Sequence, residues 1–203
     1  LAALVALKRD PEALIVSLHS DHYIKKESRF LTVLQNGIKL AKKGRIVTLG
    51  ITPTYPETGY GYIQKGKVHE GFEFEAFEVK NFVDKPDLDT AKSYLDTWNY
   101  AWNAGMFIFK AQQLIDEMSI HCPELHEWLM ELNSKIDTPD FDKVYSQLQS
   151  IAIDVAVMEK TKIGSVVPLD IKWTDIGSWK SLWEYEKKNE QGNLSLIHIW
   201  RCR

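Results

Sequence analysis

The sequence predicts an α/β fold, with helices on both faces of a mixed, mainly parallel central sheet. Three observations predict it. Ala13–Leu18 (ALIVSL) is a continuous apolar run, as in a strand buried on both faces, and Arg45–Ile51 (RIVTLGI) reads as a second buried strand. Between them Ser28–Lys43 repeats Phe30, Val33, Leu34, Ile38 and Ala41 near the helical period and stops at Gly44. Strand, helix and strand at this spacing form a crossover unit, so part of the sheet is parallel.

The remaining elements follow in order. Residues 2–9 carry an Ala/Leu-rich helical pattern. Thr52–Gly59 is a Pro-rich loop. Gly61–Gln64 and Phe72–Val83 read as strands, and FEFEAFEV alternates with period two, as in a half-exposed antiparallel strand. Leu88–Thr97 reads as a helix and Ala104–Phe109 as an apolar strand. Helices are expected at Ala111–Ser119, Pro123–Asn133 and Asp140–Gln149. A strand at Ile163–Leu169 and a helix at Gly177–Lys188 complete the reading, which contains no internal repeat.

The bulk composition narrows the class. The chain has 203 residues, 44% hydrophobic and 26% charged, with a net charge of −3. A chain of this size has enough apolar surface for a core. Lys and Arg are scattered, with no basic stripe for nucleic acid, and no apolar run is long enough to span a membrane. The two cysteines, Cys122 and Cys202, have no metal-type spacing, which suits a reducing cytoplasmic setting. Both ends are unusual. The chain starts inside a helical pattern without Met, and LSLIHIWRCR resembles a translated transposase sequencing adapter with one TGA codon read as Trp. On that reading residues 194–203 are not native, and removing Arg201 and Arg203 makes the net charge −5.

In open α/β sheets, ligands bind beyond the carboxyl ends of strands. Asp21, the Asp84–Lys85 pair and Asp175 all fall at such ends. Asp21 and Asp175 each read either as a helix cap or as a ligand for a hard cation. His22 reads as structural, as do Cys122 and the other histidines. The loop TPTYPETGYGYI is longer than two strands need, and Gly59 and Gly61, with Tyr60 between them, let backbone approach a ligand. Asn103 precedes Gly105 and an apolar strand, where an amide needs a partner, either backbone or a sugar hydroxyl. Trp173, Trp179 and Trp183 read as core.

Taken in order, SDHYI, GITPTYPETGYGYI, VKNFVDKPD, WNAGMFIF, IDVAVMEK and KWTDIGSW resemble the mannose-1-phosphate guanylyltransferases, of the sugar-1-phosphate nucleotidyltransferase superfamily. The resemblance spans most of residues 1–193, which it identifies as part of a Rossmann-like nucleotidyltransferase domain. It implies GTP and mannose 1-phosphate as substrates, GDP-mannose and diphosphate as products, Mg²⁺ as cofactor, and a cytoplasmic enzyme with room for a homodimer in the full-length protein. It also implies roles. Asp21 and Asp175 hold the metal, and Gly61 offers its backbone to the sugar. Asp84 and Asn103 take sugar hydroxyls, and Lys85 takes the sugar phosphate. Gly59, Tyr60 and Gly105 complete the substrate set. Asp21, Lys85 and Asp175 are thus the expected catalytic residues.

Three departures stand out. His19-Ser20 precede Asp21 where the family has Pro-Ala, and Asp84 stands where it has Glu. No Gly-rich nucleotide loop like the family's is present, so the 203-residue chain is expected to be an N-terminally truncated domain, inactive alone. Transfer to another hexose 1-phosphate, or a non-catalytic sugar-nucleotide sensor, are the competing readings.

Overall fold

The computed structural model describes residues 1–171, 173–177, 179–186 and 188–194, and their side chains except those at 180, 184 and 185. Residues 195–203, most of the adapter-like segment, lie outside the described residues. Helix α1 (Ala2–Arg9) leads into strand β1 (Leu14–Ser17), the two-residue strand β2 (Tyr23–Ile24) and helix α2 (Glu27–Lys42). Strands β3 (Ile46–Ile51), β4 (Tyr62–Val68) and β5 (Phe77–Val83) follow, then α3 (Leu88–Asp96) and the eleven-residue β6 (Tyr100–Lys110). Next come α4 (Ala111–His121), α5 (Pro123–Lys135), α6 (Phe141–Tyr145) and a π-helical turn, Asp154–Met158. The last elements are β7 (Gly164–Pro168), β8 (Trp173–Thr174) and α7 (Trp179–Tyr185).

The main sheet runs β1-β6-β3-β7-β5-β4, and β4 also pairs with β6. Strands β6, β3, β7, β5 and β4 therefore close into a barrel-like ring, with β1 added along the far half of β6. Helices flank it, so the fold is α/β with a mixed sheet, as expected. The sheet is not mainly parallel: among its pairings only β3–β7 is parallel. The cause is β6. Strands β1 and β3 are both antiparallel to it, so they run the same way, as a crossover through α2 requires. An apolar run shows burial but not direction, so it cannot reveal that a later strand inserts between the two.

Two cores hold the layers. On one face α2 buries Val33, Leu40 and Ala41 against Leu49, Met106 and Ile108. On the other, the π-helical turn buries Ala156, Val157 and Met158 against Ile46, Phe107 and Phe109. Each fully buried aliphatic side chain contributes about 1.5–3 kcal/mol before entropy is counted.

Several expected boundaries shift. The strand expected from Phe72 begins only at Phe77. Gly71, at φ +80°, turns the chain, and the His69 N–H donates to the Ala76 carbonyl at 2.8 Å. Phe72 and Phe74 lie over α2 instead, beneath the Lys43 and Lys39 ammonium groups at 4.5 and 5.6 Å from the ring centroids. The helix expected over Asp140–Gln149 lasts five residues and then tightens into three-residue turns at Gln147 and Leu148. Trp179 and Trp183 are 76% and 47% exposed, so the expectation of a Trp-rich core holds only for Trp173. No helix among the described residues is long and apolar enough to cross a membrane.

Candidate active site

The end of the ring where β3 and β7 finish and β4 and β6 begin carries Gly61, Asp84, Lys85 and Asn103. Gly50 and Ile51 of β3 pair with Asn103 and Trp102 of β6, and Trp102 in turn pairs with Tyr62 of β4. On the far side Val83, the last residue of β5, pairs with Tyr62. This register sets Gly61, Asp84 and Asn103 around one point.

That point is where a Gly61 side chain would be. A Cβ built there would lie 3.4 Å from Asn103 Cβ and 3.6 Å from Asp84 Oδ1. Because Gly61 has none, the space between a carboxylate and an amide stays open. The Asn103 N–H donates to the Gly61 carbonyl at 2.8 Å and fixes the two backbones.

The Asn103 amide is held on three sides. Its Oδ1 accepts from Thr48 Oγ1 at 2.7 Å and from the Gly105 N–H at 3.2 Å. Its Nδ2 donates to Asp154 Oδ1 at 2.7 Å, which leaves one N–H. Asp154, on the π-helical turn, carries no role in the sequence reading, although its segment contributes to the resemblance. Burial, followed by the nearby charge of Asp84, holds its carboxyl above the usual carboxylate range. The charge of Lys85 and the bond from Asn103 pull the other way. No local signal marks Asp154, since its meaning comes from a partner far away in the chain.

Lys85 places its ammonium 3.2 Å from Asp84 Oδ2, and its side chain is 63% exposed. An ion pair this exposed adds little stability. Its backbone is unusual, at φ +45° directly before the buried Pro86. A residue before proline favours extended conformations, and a side chain in the left-handed region is strained, together by about 1–3 kcal/mol.

A second cluster lies beside the first. Strands β2 and β8 pair antiparallel, Tyr23 with Thr174 and Ile24 with Trp173. Continuing that register carries the Asp21 and Asp175 loops past each other. His19, Asp21 and His22 each bring one donor atom to within 4.8 Å of the others. The Trp173 indole N–H donates to His22 Nδ1 at 3.2 Å, and the two histidine rings stack at 4.1 Å. An Nδ1 that accepts leaves the proton on Nε2, which makes His22 a brace in this arrangement. Burial, with His19 beside it, lowers the His22 pKa, and the charges of Asp21 and Asp175 partly offset this. His19 is seated by Gly105. That residue has φ +67°, and an added Cβ would lie 2.5 Å from His19 Nε2.

Asp175 is oriented from two sides. Its Oδ1 accepts from the Tyr60 hydroxyl at 3.0 Å and from the Gly177 N–H at 3.1 Å. Burial and the Asp175 carboxylate together push the Tyr60 phenol well above its usual pKa, so it stays a donor. Ile176, between Asp175 and Gly177, is a β-branched residue at φ +50°, a second strained position at the site. Tyr60 and Gly61 thus face the two clusters in turn, Tyr60 toward Asp175 and Gly61 toward Asp84 and Asn103. Gly59 is turned away, its N–H donating to Glu57 Oε1 at 2.9 Å. Beside Tyr60 a cavity of about 530 Å³ opens, lined in part by Thr52, Tyr55, Trp102, Asp170 and Trp173.

The structure groups Asp21 with His19 and His22 rather than with Asp175, whose carboxylate is fixed by Tyr60 and Gly177 on the neighbouring loop; a hard divalent cation would take the two carboxylates as ligands. The notch at Gly61 fits a polyhydroxyl group, with a carboxylate and an amide N–H at its edge and an ammonium next to them.

Comparisons with known proteins bear on the family and the fold. A mannose-1-phosphate guanylyltransferase of Salmonella montevideo is 44% identical over 203 residues, covering 96% of this chain and 42% of that protein. The chain therefore spans less than half the length of the curated relatives it matches. A solved Thermus thermophilus structure described as a mannose-1-phosphate geranyltransferase superposes with TM-score 0.81 at 29% identity, over 93% of this chain and 54% of that one. A Helicobacter pylori structure described as a mannose-6-phosphate isomerase superposes with TM-score 0.74 at 30% identity, over 85% and 68%. The nucleotidyl transferase family matches residues 1–192, nearly the whole described chain, and this chain belongs to that family.

Proposed function

We propose that this chain is catalytic-domain sequence of an enzyme that transfers a guanylyl group from GTP to mannose 1-phosphate, giving GDP-mannose and diphosphate. The observation that carries the reading is the adjacency of the two clusters through Tyr60 and Gly61. One cluster suits a cation and the other suits a sugar phosphate, and a nucleotidyl transfer needs both within one reacting distance. Mannose and guanine follow the names of the relatives, 44% and 41% identical over 96% of the chain.

The chemistry is an in-line displacement. A sugar-phosphate oxygen forms a bond to the α-phosphorus of GTP, the bridging bond to the β-phosphate breaks, and diphosphate leaves with the electron pair. Positioning and charge neutralisation do most of the work in such transfers. Asp84 Oδ1 accepts from sugar hydroxyls at the Gly61 notch. The Lys85 ammonium, now 3.2 Å from Asp84, swings to the sugar phosphate, a short move for an exposed side chain. Asp21 and Asp175 would hold Mg²⁺, which supplies positive charge against the triphosphate when bound. Tyr60 and Gly177 keep the Asp175 carboxylate aimed.

The test is diphosphate release by the enzyme carrying this chain, supplied with GTP and Mg²⁺, with and without mannose 1-phosphate. Release that requires mannose 1-phosphate, and that falls by about a hundredfold or more in Asp175→Asn, is expected. Equal release with glucose 1-phosphate would overturn the sugar assignment. Ligand binding without turnover, unchanged in Asp175→Asn, would favour a sensor.

A further inference from the structure

We propose that Asp154 is a sugar-binding residue of this site, contacting a mannose hydroxyl beside Asp84; the inference rests on the mannose 1-phosphate reading above. Four observations place it there. Its Oδ1 takes the Asn103 Nδ2 hydrogen at 2.7 Å, and Asn103 Cβ stands 3.4 Å from the point where Gly61 lacks a side chain. Asp84 Oδ1 stands 3.6 Å from that same point, so Asn103 links Asp154 to the space that Asp84 borders. Asp154 feels the charges of Asp84 and Lys85, the groups assigned to the sugar hydroxyls and to the sugar phosphate. It also begins a π-helical turn, a geometry that recurs at functional sites, whose buried residues are Ala156, Val157 and Met158.

Electrostatics argues against a merely structural role. A second carboxylate beside Asp84, with Asn103 already bonded, adds repulsion that an apolar or amide side chain would avoid. A ligand hydroxyl donating to Asp154 relieves that repulsion only when sugar is bound. Asn103 then has two parts: its remaining N–H faces the sugar, and its bonded N–H positions Asp154. Asp84 at the Gly61 point and Asp154 bonded to Asn103 would take two neighbouring hydroxyls of a single ring.

The experiment compares Asp154→Asn and Asp154→Ala with wild type on mannose 1-phosphate and its monodeoxy analogues. Asp154→Asn keeps an oxygen for the Asn103 N–H, so it preserves positioning while removing the charge. The expected result is a fall in kcat/KM for mannose 1-phosphate of about tenfold to a hundredfold in Asp154→Asn, with the KM for GTP unchanged. The loss should vanish for the one deoxy analogue that lacks the contacted hydroxyl. If Asp154→Asn matches wild type while Asp154→Ala matches Asn103→Ala, the role is positioning only and the proposal is overturned. A loss equal for every analogue also overturns it. A wild-type enzyme that does not use mannose 1-phosphate at all would refute the underlying reading instead, a distinct outcome visible before any variant is made. Thermal melts show that each variant is folded, and Asp154→Glu, which restores the charge, should recover part of the activity.

Discussion

Gly61→Ala separates the fold from the site. The added methyl would lie 3.4 Å from Asn103 Cβ and 3.6 Å from both Asp84 Oδ1 and Phe82 Cε1, all ordinary contacts. Gly61 does not lie in the left-handed region, so alanine adopts its backbone without strain. At such a position Gly→Ala stabilises by about 0.4–1 kcal/mol, because the unfolded chain loses freedom. For a domain of this size that raises Tm by about 1–4 °C. The same methyl fills the notch between the carboxylate and the amide. A ligand atom bonded at the Gly61 backbone must withdraw, and losing one such bond weakens binding by about 1–1.5 kcal/mol, roughly tenfold.

The assay is therefore paired: a thermal melt, and initial rates with mannose 1-phosphate and GTP varied in turn. The expected signature is a Tm that holds or rises, a KM for mannose 1-phosphate raised about tenfold, and a KM for GTP unchanged. Gly105→Ala is the control. It forces φ +67° on a side chain and drives a Cβ to 2.5 Å from His19 Nε2, so its Tm should fall by several degrees. An unchanged KM for mannose 1-phosphate in Gly61→Ala would refute the notch as the sugar site. Equal rises in both KM values would refute its selectivity.

Other perturbations test other parts. Tyr60→Phe removes one of the two donors to Asp175 Oδ1, so Mn²⁺ binding followed by electron paramagnetic resonance should weaken about tenfold, with Tm little changed. Asp154 has a raised pKa, so the folded state holds its proton to higher pH than the unfolded chain does. Its ionisation therefore lowers stability as pH rises above the usual carboxylate value of about 3.9, and Asp154→Asn should raise Tm at pH 7 but not at pH 3. At Gly37 an added Cβ would run into Ile108 Cδ1 in the core beneath α2, so Gly37→Ala should destabilise by about 1–3 kcal/mol in urea unfolding. Adding Ile108→Val, which removes that carbon, should restore part of the loss.

The sequence made some of this legible for definite reasons. The α2 pattern and the apolar run of β3 report burial, which is what periodicity measures, whereas β1, expected to be buried on both faces, is an edge strand with Val16 37% exposed; all three stand within a residue or two of their expected bounds. Strand direction leaves no such trace, which is why the sheet reads as parallel and folds mostly antiparallel. Strands β2 and β8 have two residues each, too few for any period, yet their pairing is what carries Asp21 past Asp175. The motifs named both acids but not the ribbon that joins them. Asp154 was hidden more deeply. Its segment enters the sequence reading only as part of the resemblance, and its one polar residue among DVAVM gains meaning from Asn103, 51 positions earlier.

The site also lies where local rules fail. From sequence, Lys85 before Pro86 should be extended and Ile176 should avoid positive φ. They stand instead at φ +45° and +50°, and with Trp98 they are the non-glycine residues at positive φ among the described residues. Each adjoins a carboxylate of a different cluster, Lys85 next to Asp84 and Ile176 next to Asp175. A relaxed backbone at either place would carry its acid along a different path, and Tyr60 and Gly61, adjacent in sequence, could not then reach both. The strain is thus tied to bringing the two clusters together, beside the paired strands β4, β5 and β6 and the buried Trp102. Ile176→Gly should relieve the strain and raise Tm, while the loosened Asp175 binds Mn²⁺ more weakly. If stability and cation affinity rose together, the strained backbone would have no part in aiming the carboxylate.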